Sequence, residues 1–210
     1  MLRPYINQVT VPGRRVLIGW TGPADVVAWN YGGSAQSLPR ELSLAKDRSL
    51  LQRFVPELQT LRAKHVFSGI VTKETASTVS AGLQAEVVAT FPSACGTKGS
   101  ECGVSVLGES GGGAAVTITL SVERQLVVVD ATPLGNSATR AGPLPLPSPD
   151  SGGWTVHIYV DHSIVEVIVS NTTAFVVYAY PNATAGVVGA VNAPAEGIRI
   201  DAWELADANN

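Results

Sequence analysis

Between residues 154 and 160 the chain alternates. Trp154, Val156, Ile158 and Val160 are apolar, and Thr155, His157 and Tyr159 stand between them. A period of two is the mark of a strand with one buried face. Apolar or alternating stretches of similar length recur at 66–71, 84–90, 103–107, 114–120, 124–130, 164–169, 173–180 and 198–205. They are rich in Val, Ile and Thr, whose branched Cβ suits a pleated surface. Turn chemistry separates them: glycines at 108 and 111–113, the tripeptide Asp161-His162-Ser163, and the step Pro181-Asn182. Prolines at 143, 145, 147 and 149 predict an extended surface loop over 142–150. About nine strands joined by turns, with no helical crossover, predict an all-β protein whose residues 64–210 form a two-sheet antiparallel sandwich.

Upstream the texture changes. Residues 1–44 hold short apolar runs at 15–20 and 26–29, broken by Gly13, Gly22, Pro23, Gly32 and Gly33. Two or three strands of this kind are too few to bury both faces of a sheet, so the segment is expected to belong to something larger. In 45–63, Leu50, Leu51, Phe54, Leu58 and Leu61 fall near helical spacing around Pro56. Proline breaks a long helix, so a short helical turn and a connector packing through its leucines are expected.

Composition narrows the function classes. The 210 residues carry 14 Lys and Arg against 17 Asp and Glu, a net charge of −3. That balance lacks the basic footprint of a nucleic-acid binder. With 45% hydrophobic and 15% charged residues, the chain is not a disordered one. No run approaches the roughly 20 apolar residues that span a bilayer, so no membrane partner is expected. Residues 1–8 have no apolar core and no small-residue cleavage site, unlike a signal peptide. Two N-glycosylation sequons nevertheless occur, Asn171-Thr172-Thr173 and Asn182-Ala183-Thr184. Cys95 and Cys102 are spaced for a disulfide closing a small loop around Gly96, Lys98 and Gly99, or for a pair of reduced thiols. Together these features predict a secreted or vacuolar protein whose signal lies outside this chain.

Several segments now align with one family. Gly13-Arg14-Arg15-Val16-Leu17-Ile18-Gly19-Trp20 and Gln36-Ser37-Leu38-Pro39-Arg40-Glu41-Leu42 resemble the end of the catalytic domain in glycoside hydrolase family 32. Leu50-Leu51-Gln52, Pro56-Glu57-Leu58 and Leu61-Arg62 are similar to that family's inter-domain linker. Val160-Asp161-His162-Ser163-Ile164-Val165-Glu166-Val167 and Ile200-Asp201-Ala202-Trp203-Glu204-Leu205 resemble a hairpin and the closing strand of its C-terminal sandwich. The resemblance implies a five-bladed propeller followed by a β-sandwich. Residues 1–44 would end the propeller, 45–63 would link, and 64–210 would form the sandwich. It also implies retaining hydrolysis of sucrose or fructans, with no metal or organic cofactor. Pro39, Arg40, Glu41, Asp161, Ser163, Glu166 and Trp203 are the framework positions that it marks.

The family's reaction, by the same resemblance, uses an Asp in a W-x-N-D-P-N-G segment as nucleophile and a Glu in an E-C segment as acid/base. An Asp in an R-D-P segment stabilises the transition state. Neither W-x-N-D-P-N-G nor R-D-P occurs in the 210 residues, so no residue is assigned a catalytic role and the isolated chain is expected to be inactive. The partners in view are a propeller catalytic portion, sucrose or a fructan, and a second copy of the chain. The expected role is stabilising, oligomerising or substrate-contacting; the alternatives are a stand-alone carbohydrate-binding sandwich and a non-catalytic structural subunit.

Other constellations have plainer explanations. Glu101-Cys102 reproduces the E-C pair but follows the Leu38-Pro39-Arg40-Glu41 block, whereas the family's Glu precedes it. Asp161-His162-Ser163 has the residue types of a hydrolytic triad, yet three consecutive residues cannot line up nucleophile, base and acid. A tight turn, with Asp161 or Ser163 bonding nearby backbone amides, explains it. Glu166 lies between Val165 and Val167, so it must face solvent or be paired. The glycines at 108 and 111–113 lack the Lys-Ser/Thr of a phosphate loop, and His65, His157 and His162 lack zinc spacing. Trp20, Trp29, Trp154 and Trp203 are expected in cores rather than on sugar rings.

Overall fold

The computed structural model describes residues 7–11, 13–21, 35–72, 79–96, 99, 101–110, 112–136, 138–148, 152–182 and 185–206. The expected run at 26–29 with Trp29 lies outside the described residues, as do Gly22, Pro23, Gly32, Gly33, Lys98, Gly111, Pro149, Ala183 and Thr184. The chain divides into two units, Met1–Thr60 and Leu61–Asn210.

In the first unit, β1 (Asn7–Val11), β2 (Arg14–Ile18), β5 (Arg40–Leu44) and β6 (Leu50–Phe54) form a four-stranded antiparallel sheet in that order. β3 (Trp20–Thr21) and β4 (Ala35–Gln36) form a separate short ladder. The leucines at 50 and 51 therefore lie on a strand and not on the expected helical turn. The cause is local. Asp47 accepts hydrogen bonds from the Ser49 amide (3.0 Å) and hydroxyl (2.7 Å), and the Ala45 amide donates to the Ser49 carbonyl at 3.0 Å. This turn folds Leu50 back beside Leu44, and Pro56 confines helical structure to the 3-10 turn Pro56–Leu61.

The second unit is the sandwich. Its strands are β7 (Arg62–Val71), β8 (Val79–Ser80), β9 (Gln84–Phe91), β10 (Glu101–Gly108), β11 (Val116–Ser121) and β12 (Leu126–Asp130), followed by β13 (Arg140–Pro143), β14 (Trp154–Asp161), β15 (Ile164–Val169), β16 (Thr173–Tyr178), β17 (Val187–Val191) and β18 (Ile198–Leu205). One six-stranded sheet runs β13-β12-β11-β10-β17-β8 and the other β16-β15-β14-β9-β18-β7. All nine expected strands are present. β8, β13 and β17 are additional, and β13 occupies the start of the segment expected to be a loop. It is an edge strand, the place where a sheet tolerates proline.

The core lies where alternation puts it. Val87, Ala89, Val156, Ile158 and Ile200 of one sheet are buried, as are Val104, Val106, Ile118, Leu120 and Val129 of the other. Full burial of each Val, Ile or Leu among them is worth roughly 1.5–3 kcal/mol. β9 and β10 belong to different sheets, and the segment between them is clamped by a disulfide from Cys95 to Cys102, with Cα atoms 5.6 Å apart. Both cysteines are buried. No helix among the described residues is long and apolar enough to cross a membrane.

Candidate functional site

The second sheet of the sandwich carries its chemistry on the face turned away from the core. Register fixes one row across adjacent strands: His65 is opposite Trp203, Trp203 opposite Glu86, Glu86 opposite Tyr159, and Tyr159 opposite Glu166. Five strands, β7, β18, β9, β14 and β15, thus contribute to one line. Arg62, at the start of β7, spans the first part of it. Its guanidinium lies 3.8 Å from the centre of the Trp203 ring and forks onto both oxygens of Glu86 at 2.7 Å each. Planar, bidentate pairing of this kind is the strong form of the arginine–carboxylate bond. His157 Nε2 completes the carboxylate at 2.8 Å. His65 stacks on Trp203 with ring centres 4.7 Å apart and planes inclined by 10°, and its Nε2 lies 3.6 Å from Asp201.

Glu86 is 0% exposed although it sits on an outward-facing register position. Burial alone pushes its carboxyl up, because charge is disfavoured away from water. Hydrogen bonds from Arg62 and His157 outweigh that and hold it at about 2, below its ordinary 4.5. Burial and the neighbouring Glu86 charge push the Tyr159 phenol up, so it stays protonated. These shifts decide the chemistry. A glycosidase acid needs a carboxyl raised toward neutrality, and Glu86 is moved the other way. Its lone pairs are committed to donors that fix strands together. The row is a cross-strand clamp.

The sequence-marked residues fall as follows. Glu166 is on β15, 2% exposed, opposite Tyr159 and Val176. Asp161, His162 and Ser163 form the β14–β15 hairpin tip, where Asp161 pairs directly with Ile164. The Asp161 carboxylate lies 3.0 Å from His162 Nδ1 and accepts from Gln84 Nε2 at 3.3 Å, so it serves side chains where a backbone amide was expected. The Ser163 carbonyl accepts the Ala179 amide at 2.9 Å. Trp203, expected in a core, is instead half-buried on the outward face, where it belongs to the clamp. In the first unit, the Pro39 carbonyl accepts the Val55 amide at 3.1 Å, and Arg40, 8% exposed, donates to Gln52 at 3.2 Å across from Phe54. Glu41 pairs across strands with Arg53 at 3.1 Å. Pro39, Arg40 and Glu41 thus hold an inner strand in its sheet.

The decoys resolve as well. Glu101 pairs with Arg124 at 2.8 Å, both partly in solvent, and Cys102 is spent in the disulfide. Trp154 is 4% exposed, with Nε1 donating to the Pro145 carbonyl at 2.8 Å. A cavity of about 280 Å³ borders it, lined also by Leu144, Pro145, Leu146 and Gly152, but the indole offers no free face for a sugar. Trp20, expected in a core, is 41% exposed, on a two-residue strand that among the described residues pairs only with β4. Among the described residues no three His, Cys, Asp or Glu side chains gather as a metal set.

The sequence reading missed Arg62, Glu86, His157 and Tyr159. The signal was available for Glu86. It stands between Ala85 and Val87 in an apolar strand, the same context that singled out Glu166.

Comparison with known proteins gives a consistent result. The model of the glycosyl hydrolases family 32 C terminal matches residues 57–204. No curated protein sequence matches the chain. Among solved structures, the exo-inulinase of Aspergillus awamori superposes with a TM-score of 0.79 at 20% identity, covering 97% of this chain and 43% of that one. Fructan 1-exohydrolase IIa of Cichorium intybus gives 0.74 at 18% identity, covering 98% and 48%. Sucrose-6-phosphate hydrolase of Lactobacillus gasseri gives 0.74 at 17% identity, covering 97% and 41%. This chain therefore spans less than half the length of each.

Proposed function

Because this chain belongs to the family of glycosyl hydrolase family 32 C-terminal domains, we propose that it serves as the β-sandwich portion of a secreted or vacuolar β-fructofuranosidase-like enzyme acting on sucrose or fructans. What supports the reading most is one match: a family model over residues 57–204, on a six-on-six sandwich of the same fold as an exo-inulinase and a fructan exohydrolase. In this proposal a propeller portion supplies nucleophile, acid/base and transition-state carboxylates. Residues 1–44 close its last blade, 45–63 connect, and the sandwich stabilises the assembly. The disulfide and the sequons support the compartment, since disulfides persist where the surroundings oxidise.

Two preparations test the proposal. The purified chain, incubated with sucrose, inulin or levan, is expected to release no fructose. The particle captured from its source cells through this chain is expected to sediment well above 21.8 kDa and to release fructose. Fructose from the purified chain alone, or a native particle of the chain's own mass without activity, overturns it. Heat on titrating the isolated chain with a fructan would favour a binding module instead.

A further inference from the structure

Asn171 occupies the three-residue turn between β15 and β16, where Val169 pairs with Thr173. Ser170 and Asn171 both have left-handed backbones, with φ of 44° and 59°. Outside glycine, Asn is among the few residues that tolerate this region. Backbone and neighbouring side chains hold the turn: the Ser170 amide donates to the Thr155 carbonyl at 2.8 Å, the Thr172 amide to the Val169 carbonyl at 3.0 Å, and the Thr172 hydroxyl to the same Val169 carbonyl at 3.2 Å. The Asn171 side chain is exposed and enters no hydrogen bond among the described residues. Its nitrogen is therefore presented to solvent without a structural task.

The second sequon differs. Asn182 Nδ2 donates to Glu109 at 2.7 Å, so its amide already ties two loops together. Thr173, third in the first sequon, donates its hydroxyl to the Pro143 carbonyl at 2.6 Å and links the edges of the two sheets. Turn geometry explains an Asn at 171, and this bond explains a Thr at 173. The buried disulfide adds an independent observation. It belongs to the oxidising compartments, where oligosaccharides are also transferred to Asn.

We propose that Asn171 carries an N-linked glycan. In the transfer, the amide nitrogen attacks the anomeric carbon of an oligosaccharide held on a lipid pyrophosphate. The N–C bond forms, the C–O bond to the pyrophosphate breaks, the lipid pyrophosphate leaves with the electron pair, and the amide gives up one proton. The glycan then projects from one end of the sandwich, and every backbone bond of the turn is kept. The inference rests on the secretory route proposed above and on nothing else in that proposal.

The full chain behind a supplied cleavable secretion signal, made in a eukaryotic secretory host, separates the two. With routing supplied, failure at Asn171 speaks only against the acceptor. Peptide mapping after peptide-N-glycosidase in heavy-oxygen water is expected to show the Asn-to-Asp label at 171 in most molecules. N171Q and T173V are expected to lose it, and T173S, which keeps the hydroxyl, to retain it. Transfer precedes folding, so the label is readable in cell-retained chain even if a variant misfolds. Unmodified Asn171 in chain whose disulfide has formed overturns the proposal.

Discussion

Glu86 has no exposed surface, whereas Arg62 keeps 25% of its side chain in solvent. The pair is therefore unequal, and each half fails differently when removed. Arg62→Met leaves a buried carboxylate with only His157 and the Tyr159 phenol beside it and no permanent positive charge, a change that costs about 3–5 kcal/mol. Glu86→Gln leaves an arginine that can turn to water, and costs about 1–2 kcal/mol. Urea denaturation at neutral pH measures both, and equal or reversed losses contradict the clamp. The sign with pH follows from the same carboxyl. Its folded value lies near 2, below the ordinary 4.5, so its stabilisation is complete above about 4.5 and is lost as pH falls toward 2. In Glu86→Gln that slope over the acid range should flatten. At this scale the sequence was half legible. An acidic residue inside an apolar strand announces that it is paired, as at Glu166, but nothing in the order of residues says that Arg62 reaches across Trp203 to meet Glu86.

Strands with full alternation or a long β-branched run were readable because each carries its own burial pattern. β14 pairs with β9 and β15 through registers that place every inward residue of 154–160 against another inward residue. The missed elements lacked such a pattern. β17 is Val-Val-Gly-Ala-Val among turn residues, and its glycine at 189 faces Ser105, whose Oγ lies 3.1 Å from where a Cβ would sit. β13 ends in a proline, and β6 was mistaken because three apolar residues in five fit either period. Tertiary pairing chose between the alternatives. Close approach also governs the entry to β14. A Cβ on Gly153 would stand 1.9 Å from the Phe91 carbonyl oxygen, a backbone atom that cannot swing aside. Gly153→Ala is accordingly expected to cost about 3 kcal/mol or more by denaturant melt. A loss under about 1 kcal/mol would mean that β9 and β14 separate there more easily than their register implies.

For the molecule as a whole, the fold class and the family were legible, because the marked segments occur in family order along most of the chain. The sandwich, Leu61–Asn210, has two six-stranded sheets and a closed core. Met1–Thr60 has a four-stranded sheet and a short ladder, with Leu44 and Leu50 exposed side by side at the hairpin end. A single four-stranded sheet buries one face poorly. The carboxylates that the proposed activity needs were never legible here, since retaining chemistry takes two of them about 5 Å apart across one bond and the segments that would carry them are not in these residues. In the proposed enzyme they stand upstream in the same reading frame. Sequencing the complete transcript ahead of the Met1 codon tests it most directly. An open frame encoding Asn-Asp-Pro-Asn-Gly, Arg-Asp-Pro and Glu-Cys segments in that order is expected. Stop codons shortly upstream, in a transcript with an intact capped end, would contradict it.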